Sequence, residues 1–412
     1  MLSFVRDVKI ITSKKTYEYP VNKGERMDKR QTFVKWIKRI IFFVLVPLLV
    51  LSIILALTIG GTVYYTVNFF KDTSAYLHRL SLPNSIDVLE PVEIGGIKQW
   101  VSIRGYNKDA PILLFLHGGP GYNMIRIEPV IASQWEEYFT VVFWDQRGCG
   151  KSYYTTEEIG KTMTVEQLLD DTSEMIAYLR KRFNREKIFV LGHSWGSYLG
   201  ISMAKLHPDW LYAYIGAGQV VNSLESKQET FNQLLTLLEE KGDQVGIEKL
   251  NGMVPFPDQD MSIDIYYKHW GKLQRMLTPF GLNEFHQKNN SDMIQLFLLA
   301  TLLSSHTTSL SEMYRDIFSK DQPSKLPSLM EGVRKIDVPK QIGYKFDVPV
   351  FIICGKYDWQ VYYQMSINYF QKIKAPYKEM MLMENSAHVM MVDEPGRFFN
   401  FLVDKVLPYA DR

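Results

Sequence analysis

Apolar residues follow three different patterns along this chain, and each predicts its own kind of element. From Ile40 to Phe70 the run IIFFVLVPLLVLSIILALTIGGTVYYTVNFF contains no charged side chain. That is longer than the ~20 apolar residues needed to cross a bilayer core, so it predicts a transmembrane anchor helix over 40–70 rather than a buried core helix. It also exceeds the ~7 to 15-residue apolar core of a cleaved signal peptide, and it lacks a convincing small-residue cleavage site.

Beyond a linker over 71–90, polar around Leu82 to Leu89, the pattern changes to short apolar blocks. VEI, the pair Gly95-Gly96 and IKQWVSIRG read as a hairpin. ILLFL (Ile112 to Leu116), FTVVFWD (Phe139 to Asp145), KIFVL (Lys187 to Leu191), VPVFIIC (Val348 to Cys354) and KEMMLM (Lys378 to Met383) read as strands. Helical stretches separate them. One opens with a capping box at Thr164 to Gln167 and runs to about Phe183, one is stopped near His207 by Pro208, and one lies around Tyr363 to Lys374. Strands alternating with helices predict an α/β fold, a mostly parallel central sheet flanked by helices, over 91–220 and 345–412. The third pattern fills 221–344, where the alternation gives way to amphipathic stretches such as FNQLLTLLEE and MIQLFLLATLL. This predicts an inserted helical cap over the carboxyl edge of the sheet.

Charge adds a direction. The segment 1–39 carries eleven Lys/Arg against four Asp/Glu, a net of +7 in a chain whose total is +2. Lys35, Lys38 and Arg39 abut the apolar run, while Lys71 and Asp72 cancel beyond it. The positive-inside rule therefore expects a single-pass protein of the cell membrane, with this basic segment cytoplasmic and the α/β domain outside. The small total charge gives no field for nucleic acid, and membrane lipid is expected as a partner only through the anchor. Cys149 and Cys354 read as two thiols rather than a disulfide.

The block KIFVL runs straight into GHSWG, Gly192 to Gly196, and then into a helix. Gly-x-Ser-x-Gly in that context is the pattern of a nucleophile elbow, where two glycines let strand and helix pass closely and a strained turn exposes the serine hydroxyl. Serine needs an imidazole to take its proton and an acid to hold that imidazole. Asp358 follows the strand VPVFIIC and His388 follows KEMMLM, giving the order Ser, Asp, His with each partner at a strand end. Ser194, Asp358 and His388 are thus expected to be catalytic. The N–H groups of Trp195, next after the serine, and of Gly119, in the loop HGGPG after ILLFL, are expected to form the oxyanion hole. GKS at Gly150 to Ser152 is no P-loop, since Asp145 stands where its first glycine should be. The eight histidines show no HExxH or Cys/His metal spacing, so neither metal nor cofactor is expected.

HGGPG at 117–121, WDQRGCGKS at 144–152, GHSWGS at 192–197, GKYD at 355–358 and SAH at 386–388 together resemble the proline iminopeptidase family of α/β-hydrolases. The resemblance covers about residue 90 to the C-terminus. It implies an α/β-hydrolase core with a helical cap, Ser194 as nucleophile, His388 as base and Asp358 as its orienter. It also implies release of N-terminal proline or similar residues from short peptides. Familiar members are soluble and hold the substrate amine with cap glutamates, one of them in a Trp-Glu-Gly setting. No such setting occurs between 221 and 344, where Glu225, Glu229, Glu284 and Glu312 are the candidates. An anchored carboxylesterase or lipase-like hydrolase of small esters fits the same residues. A non-catalytic binding protein fits the fold but leaves the three catalytic residue types without a purpose.

Overall fold

The computed structural model describes residues 23–77, 79–286 and 323–411, with 295, 307, 309, 311, 312, 315 and 319. The chain divides into two compact units, 1–68 and 69–412. The helix Lys23–Ile40 passes through a π-turn, Ile41–Leu45, into the helix Val46–Leu77, which runs past the boundary at 68. The stretch Arg30–Thr73 is long and apolar enough to cross a membrane. Its large apolar side chains, Leu51 and Leu57 among them, are exposed.

The expected linker is shorter than 71–90, because the helix runs on to Leu77 and the first strand begins at Ile86. That strand, β1 (Ile86–Ile94), pairs with β2 (Ile97–Gly105) across Gly95-Gly96, so Ile86 to Leu89 belong to the hairpin rather than to a polar connection. The alternating side chains of β1, only partly buried, disguise it as linker.

The remaining strands are β3 (Ile112–Leu116), β4 (Thr140–Asp145), β5 (Ile188–His193), β6 (Leu211–Ala217), β7 (Val350–Gly355) and β8 (Lys378–Met383). They form one sheet in the order β1-β2-β4-β3-β5-β6-β7-β8, parallel from β4 to β8 and antiparallel at β1, β2 and β4. β6 went unforeseen because Tyr212 and Gly216 break its apolar run and it sits just after the helix stop at Pro208. It nonetheless fills the sheet between β5 and β7.

Period-two alternation sends each strand's side chains to two separate cores. Ile112, Leu114, Val190 and Ile352 pack on one face, and Leu113, Phe115, Leu191 and Phe351 on the other. Both faces are covered, which is why these strands read as unbroken apolar blocks. At about 1.5–3 kcal/mol for each fully buried aliphatic or aromatic side chain, this double core is the main stabilising term.

Between β6 and β7 lie the helices Ser223–Glu240, Gln244–Asn251, Ile263–Leu277 and Pro327–Arg334. Phe231, Leu234 and Leu238 of the first pack with Leu250, Tyr266 and Leu273 in a third apolar cluster. The stretch MIQLFLLATLL at 293–303 lies outside the described residues, Gln295 apart.

One buried ion pair ties the hairpin turn to the flanking helix Val165–Arg182. Arg147 donates from Nε and Nη2 to the two oxygens of Asp171 at 2.7 and 2.9 Å, with the side chains 1% and 0% exposed. Gln99 and Gln167 also donate to Asp171, and Arg147 donates to the Gly95 carbonyl. Removing one member leaves an uncompensated buried charge. Arg147→Ala is expected to destabilise the protein by about 3–5 kcal/mol, read as a lower denaturation midpoint in urea.

Candidate active site

The carboxyl ends of the parallel strands meet along one rim, the place where open α/β sheets present their chemistry. β5 delivers Ser194 to it. Ser194 has φ +55° and ψ −122°, a strained backbone for a residue with a side chain. The local sequence enforces it. A Cβ on Gly192 would come within 2.2 Å of the Gly196 carbonyl oxygen, and one on Gly196 within 2.0 Å of the Leu116 carbonyl oxygen. Only glycines let β5, β3 and the helix Trp195–Leu206 approach this closely. The Ser194 N–H donates to the Ala217 carbonyl at the end of β6, so the unforeseen strand anchors the elbow.

β7 delivers Asp358 and β8 delivers His388. His388 Nδ1 lies 2.8 Å from Asp358 Oδ2, and Asp358 Oδ1 accepts from the Val361 N–H at 2.9 Å. Both are buried, at 2% and 0% exposure. The bond to the carboxylate places the ring proton on Nδ1 and leaves Nε2 as the free base, and Nε2 has no hydrogen-bond partner among the described residues. It is therefore not bonded to Ser194 Oγ here; such bonds are often loose before substrate binds. His388 is held from several sides. Its N–H donates to the Asn283 carbonyl, the Ala387 N–H to Asp393 Oδ2, and the Ser386 hydroxyl to Glu394 Oε2. Gly218, at φ +59°, passes so close that a Cβ there would sit 3.2 Å from His388 Cε1 and 3.3 Å from Asp358 Oδ2.

Two more histidines position the site, and neither was singled out for a role by sequence. His193 Nε2 donates to the His388 carbonyl at 2.9 Å, linking the elbow to the histidine loop, and burial pushes its pKa down to about 3. His117 Nδ1 donates to the Gly118 carbonyl at 2.8 Å while its Nε2 accepts from the Gln146 N–H at 3.2 Å. Burial pushes His117 down to about 4, so both rings are neutral at physiological pH and serve as fixed hydrogen-bonding struts. Their signal in the sequence is only that they stand inside HGGPG and GHSWG. Gln146 and His388, the partners that tie them to the rest of the site, come from other parts of the chain.

Ser194, Gly119 and Trp195 line one cavity of about 480 Å³. Gly119 has φ +112°, and a Cβ there would meet the Gly121 nitrogen at 2.6 Å, so the loop needs glycine at this point. Trp195 begins its helix, where the first N–H groups lack intrahelical acceptors, and its indole donates to Gln146 Oε1 at 3.2 Å. Tyr122, Tyr267 and Trp270 give the cavity aromatic walls.

The four glutamates part company. Glu225 is exposed on the first turn of Ser223–Glu240, Glu229 lies one turn further on, and neither lines the cavity. Glu312 is engaged by Lys151 at 2.9 Å. Glu284 alone is beside the histidine: its carbonyl accepts from the Val389 N–H at 2.8 Å. Its side chain stays accessible at the surface, but the surrounding packing raises its pKa and His388 opposes that shift.

A buried carboxyl also supports the segment after HGGPG. Glu128 accepts from the Ser102 hydroxyl at 2.6 Å, and burial, only partly offset by Arg104, pushes its pKa from 4.5 up to about 8. The fold thus holds a proton that the unfolded chain releases above about pH 4.5. Its contribution is complete below that pH, falls as pH rises, and is lost above about 8. Relative to wild type, Glu128→Gln is expected to become progressively more stable between about pH 5 and about pH 8, by at most about 1.4 kcal/mol per pH unit. Urea unfolding of both proteins across that range checks it.

A mostly parallel sheet with a serine at a strand-to-helix elbow, and a His–Asp pair on the loops after its last two strands, defines an α/β hydrolase. The family model described as serine aminopeptidase, S33, matches residues 108–395. The probable aminopeptidase YbaC of Bacillus subtilis is 30% identical over 77% of this chain and 96% of its own. The proline iminopeptidase of Saccharolobus solfataricus is 26% identical over 73% of this chain and 85% of its own. A crystal structure of the proline iminopeptidase of Mycobacterium smegmatis shares the fold, with TM-score 0.53 and 17% identity over 78% of this chain and 98% of that one. The chain belongs to the serine aminopeptidase, S33, family.

Proposed function

We propose that this protein is a membrane-anchored serine hydrolase of the proline iminopeptidase type, cleaving N-terminal proline or similar residues from short peptides. The observation that carries the reading is the buried His388–Asp358 pair, 2.8 Å apart, with an imidazole nitrogen left over at the rim where Ser194 is presented. Ser194 Oγ attacks the scissile carbonyl as its proton passes to His388 Nε2. The oxyanion is received by the N–H groups of Gly119 and Trp195. The C–N bond breaks, His388 returns the proton to the departing amine, and the acyl group stays on Ser194 as an ester. Water, deprotonated by the same imidazole, then releases the acid.

Aromatic walls suit a proline ring, and Glu284, beside His388 but outside the described cavity lining, is the candidate carboxylate for a free amine. The relatives named as aminopeptidases support the same substrate class. The apolar run 40–70 within Arg30–Thr73 serves as the anchor in this reading, and Lys35, Lys38 and Arg39 just before that run favour a hydrolase on the outer face.

One observation favours an esterase instead: among the described residues lining the cavity there is no Asp or Glu. Turnover of a proline arylamide against a short acyl ester separates the two. The peptidase reading expects the arylamide to be cleaved and N-terminal blocking to abolish cleavage. Turnover of the ester alone, or indifference to blocking, overturns it in favour of the esterase.

A further inference from the structure

The cavity that holds Ser194 has one charged side chain among its described lining residues, and it is a cation. Lys227 is only 8% exposed and lies on the inward face of the helix Ser223–Glu240, in line with the buried Ser223, Ser226 and Thr230. Lysine in such a setting is almost always paired with an acid. Here no carboxylate is within ion-pair distance among the described residues. Nζ donates to the Ser223 carbonyl at a long 3.3 Å and faces the rings of Trp270 at 4.8 Å and Tyr266 at 5.9 Å. Ring faces and one carbonyl stabilise an ammonium only in part, and its remaining donors meet no anion among the described residues. A packing role alone would be met more cheaply by methionine or leucine, without the desolvation cost.

We propose that Lys227 forms an anion-binding subsite in the Ser194 cavity and holds a carboxylate of the substrate there. This rests on the hydrolase reading and narrows it to acids: short peptides with a free C-terminus, or esters of acyl chains that end in a carboxylate. A cavity of about 480 Å³ has room for a dipeptide. Burial pushes the lysine pKa down to about 8, which leaves most of the population protonated at neutral pH; a bound carboxylate pulls it back up.

The test uses the full-length chain in detergent micelles. Turnover of the dipeptide Pro-Gly is compared with that of Pro-Gly amide, and a nitrophenyl hemiester of glutaric acid with nitrophenyl valerate. A charge-assisted contact predicts that wild type prefers the acid in at least one pair by roughly ten- to hundredfold in kcat/KM. Lys227→Met brings that ratio close to one, and Lys227→Arg retains most of it. A preference in the first pair puts the carboxylate on the departing side, and in the second on the acyl side. Ratios near one in wild type for both pairs, with clear turnover, overturn the subsite and leave the hydrolase standing. If wild type turns over none of the four, the hydrolase reading fails, and calorimetric titration with Pro-Gly and its amide decides the subsite alone. Tighter binding of the acid, lost in Lys227→Met, upholds it; equal binding overturns it. A Lys227→Met protein that does not fold leaves the wild-type ratios and the Lys227→Arg variant to decide.

Discussion

Replacing Ser194 by alanine is expected to lower kcat by about 10⁶-fold on whichever substrate the wild type turns over, with little change in stability. The substitution removes only Oγ, a single atom at a site 8% exposed. The φ of +55° remains as strained for alanine as for serine, so the fold neither gains nor loses much. A residual rate within about tenfold of wild type would mean that some other group carries the chemistry. Steady-state turnover, with the thermal midpoint as a control for folding, reads both quantities.

Asp358→Asn is the second large effect, a fall of about 10⁴-fold in kcat with KM nearly unchanged. The amide matches the carboxylate in shape and can still accept the Val361 N–H that Asp358 Oδ1 accepts at 2.9 Å. What changes is the partner of His388 Nδ1, now 2.8 Å from a carboxylate oxygen. An amide nitrogen in that place donates, so the imidazole shifts its proton to Nε2 and loses the lone pair that faces the site. No imidazolium is then stabilised during attack. A fall of less than about tenfold would show that Asp358 is a buried structural acid and no part of the relay.

These two residues show how far letters alone reach. The strands of the sheet's middle are legible because parallel strands covered on both faces must be apolar throughout, as β3 and β7 are. The elbow is legible because close approach of strand and helix admits only glycine at 192 and 196. β6 is harder to see: its glycine and tyrosines follow a proline stop, and only its neighbours in the sheet make it a strand. The start of β1 is masked by half-burial, and the helix that ends at Leu77 by charges at Lys71 and Asp72 that stop the apolar run but not the helix.

Within the site, chemistry that depends on a single residue type is visible in sequence, and chemistry that depends on meeting is not. His193 and His117 differ from solvated histidines through burial and through partners elsewhere in the chain, His388 and Gln146. Gly218 matters because a distant imidazole passes 3.2 Å from where its Cβ would be. Lys227 reads as an ordinary helix lysine until the inward face of its helix is known. Glu225, Glu229 and Glu284 all lie outside the described cavity lining, and only Glu284 is tied to the histidine loop, through its carbonyl and the Val389 N–H.

The proposed reaction depends on Ser194 being made nucleophilic by His388, and covalent labelling measures that directly. The full-length protein is treated with a phosphonate ester probe, digested, and its adduct located by mass spectrometry. The expected result is one adduct, on Ser194, absent in Ser194→Ala and formed at least about 10²-fold more slowly in His388→Gln. Equal labelling of wild type and Ser194→Ala, or an undiminished rate in His388→Gln, would contradict it.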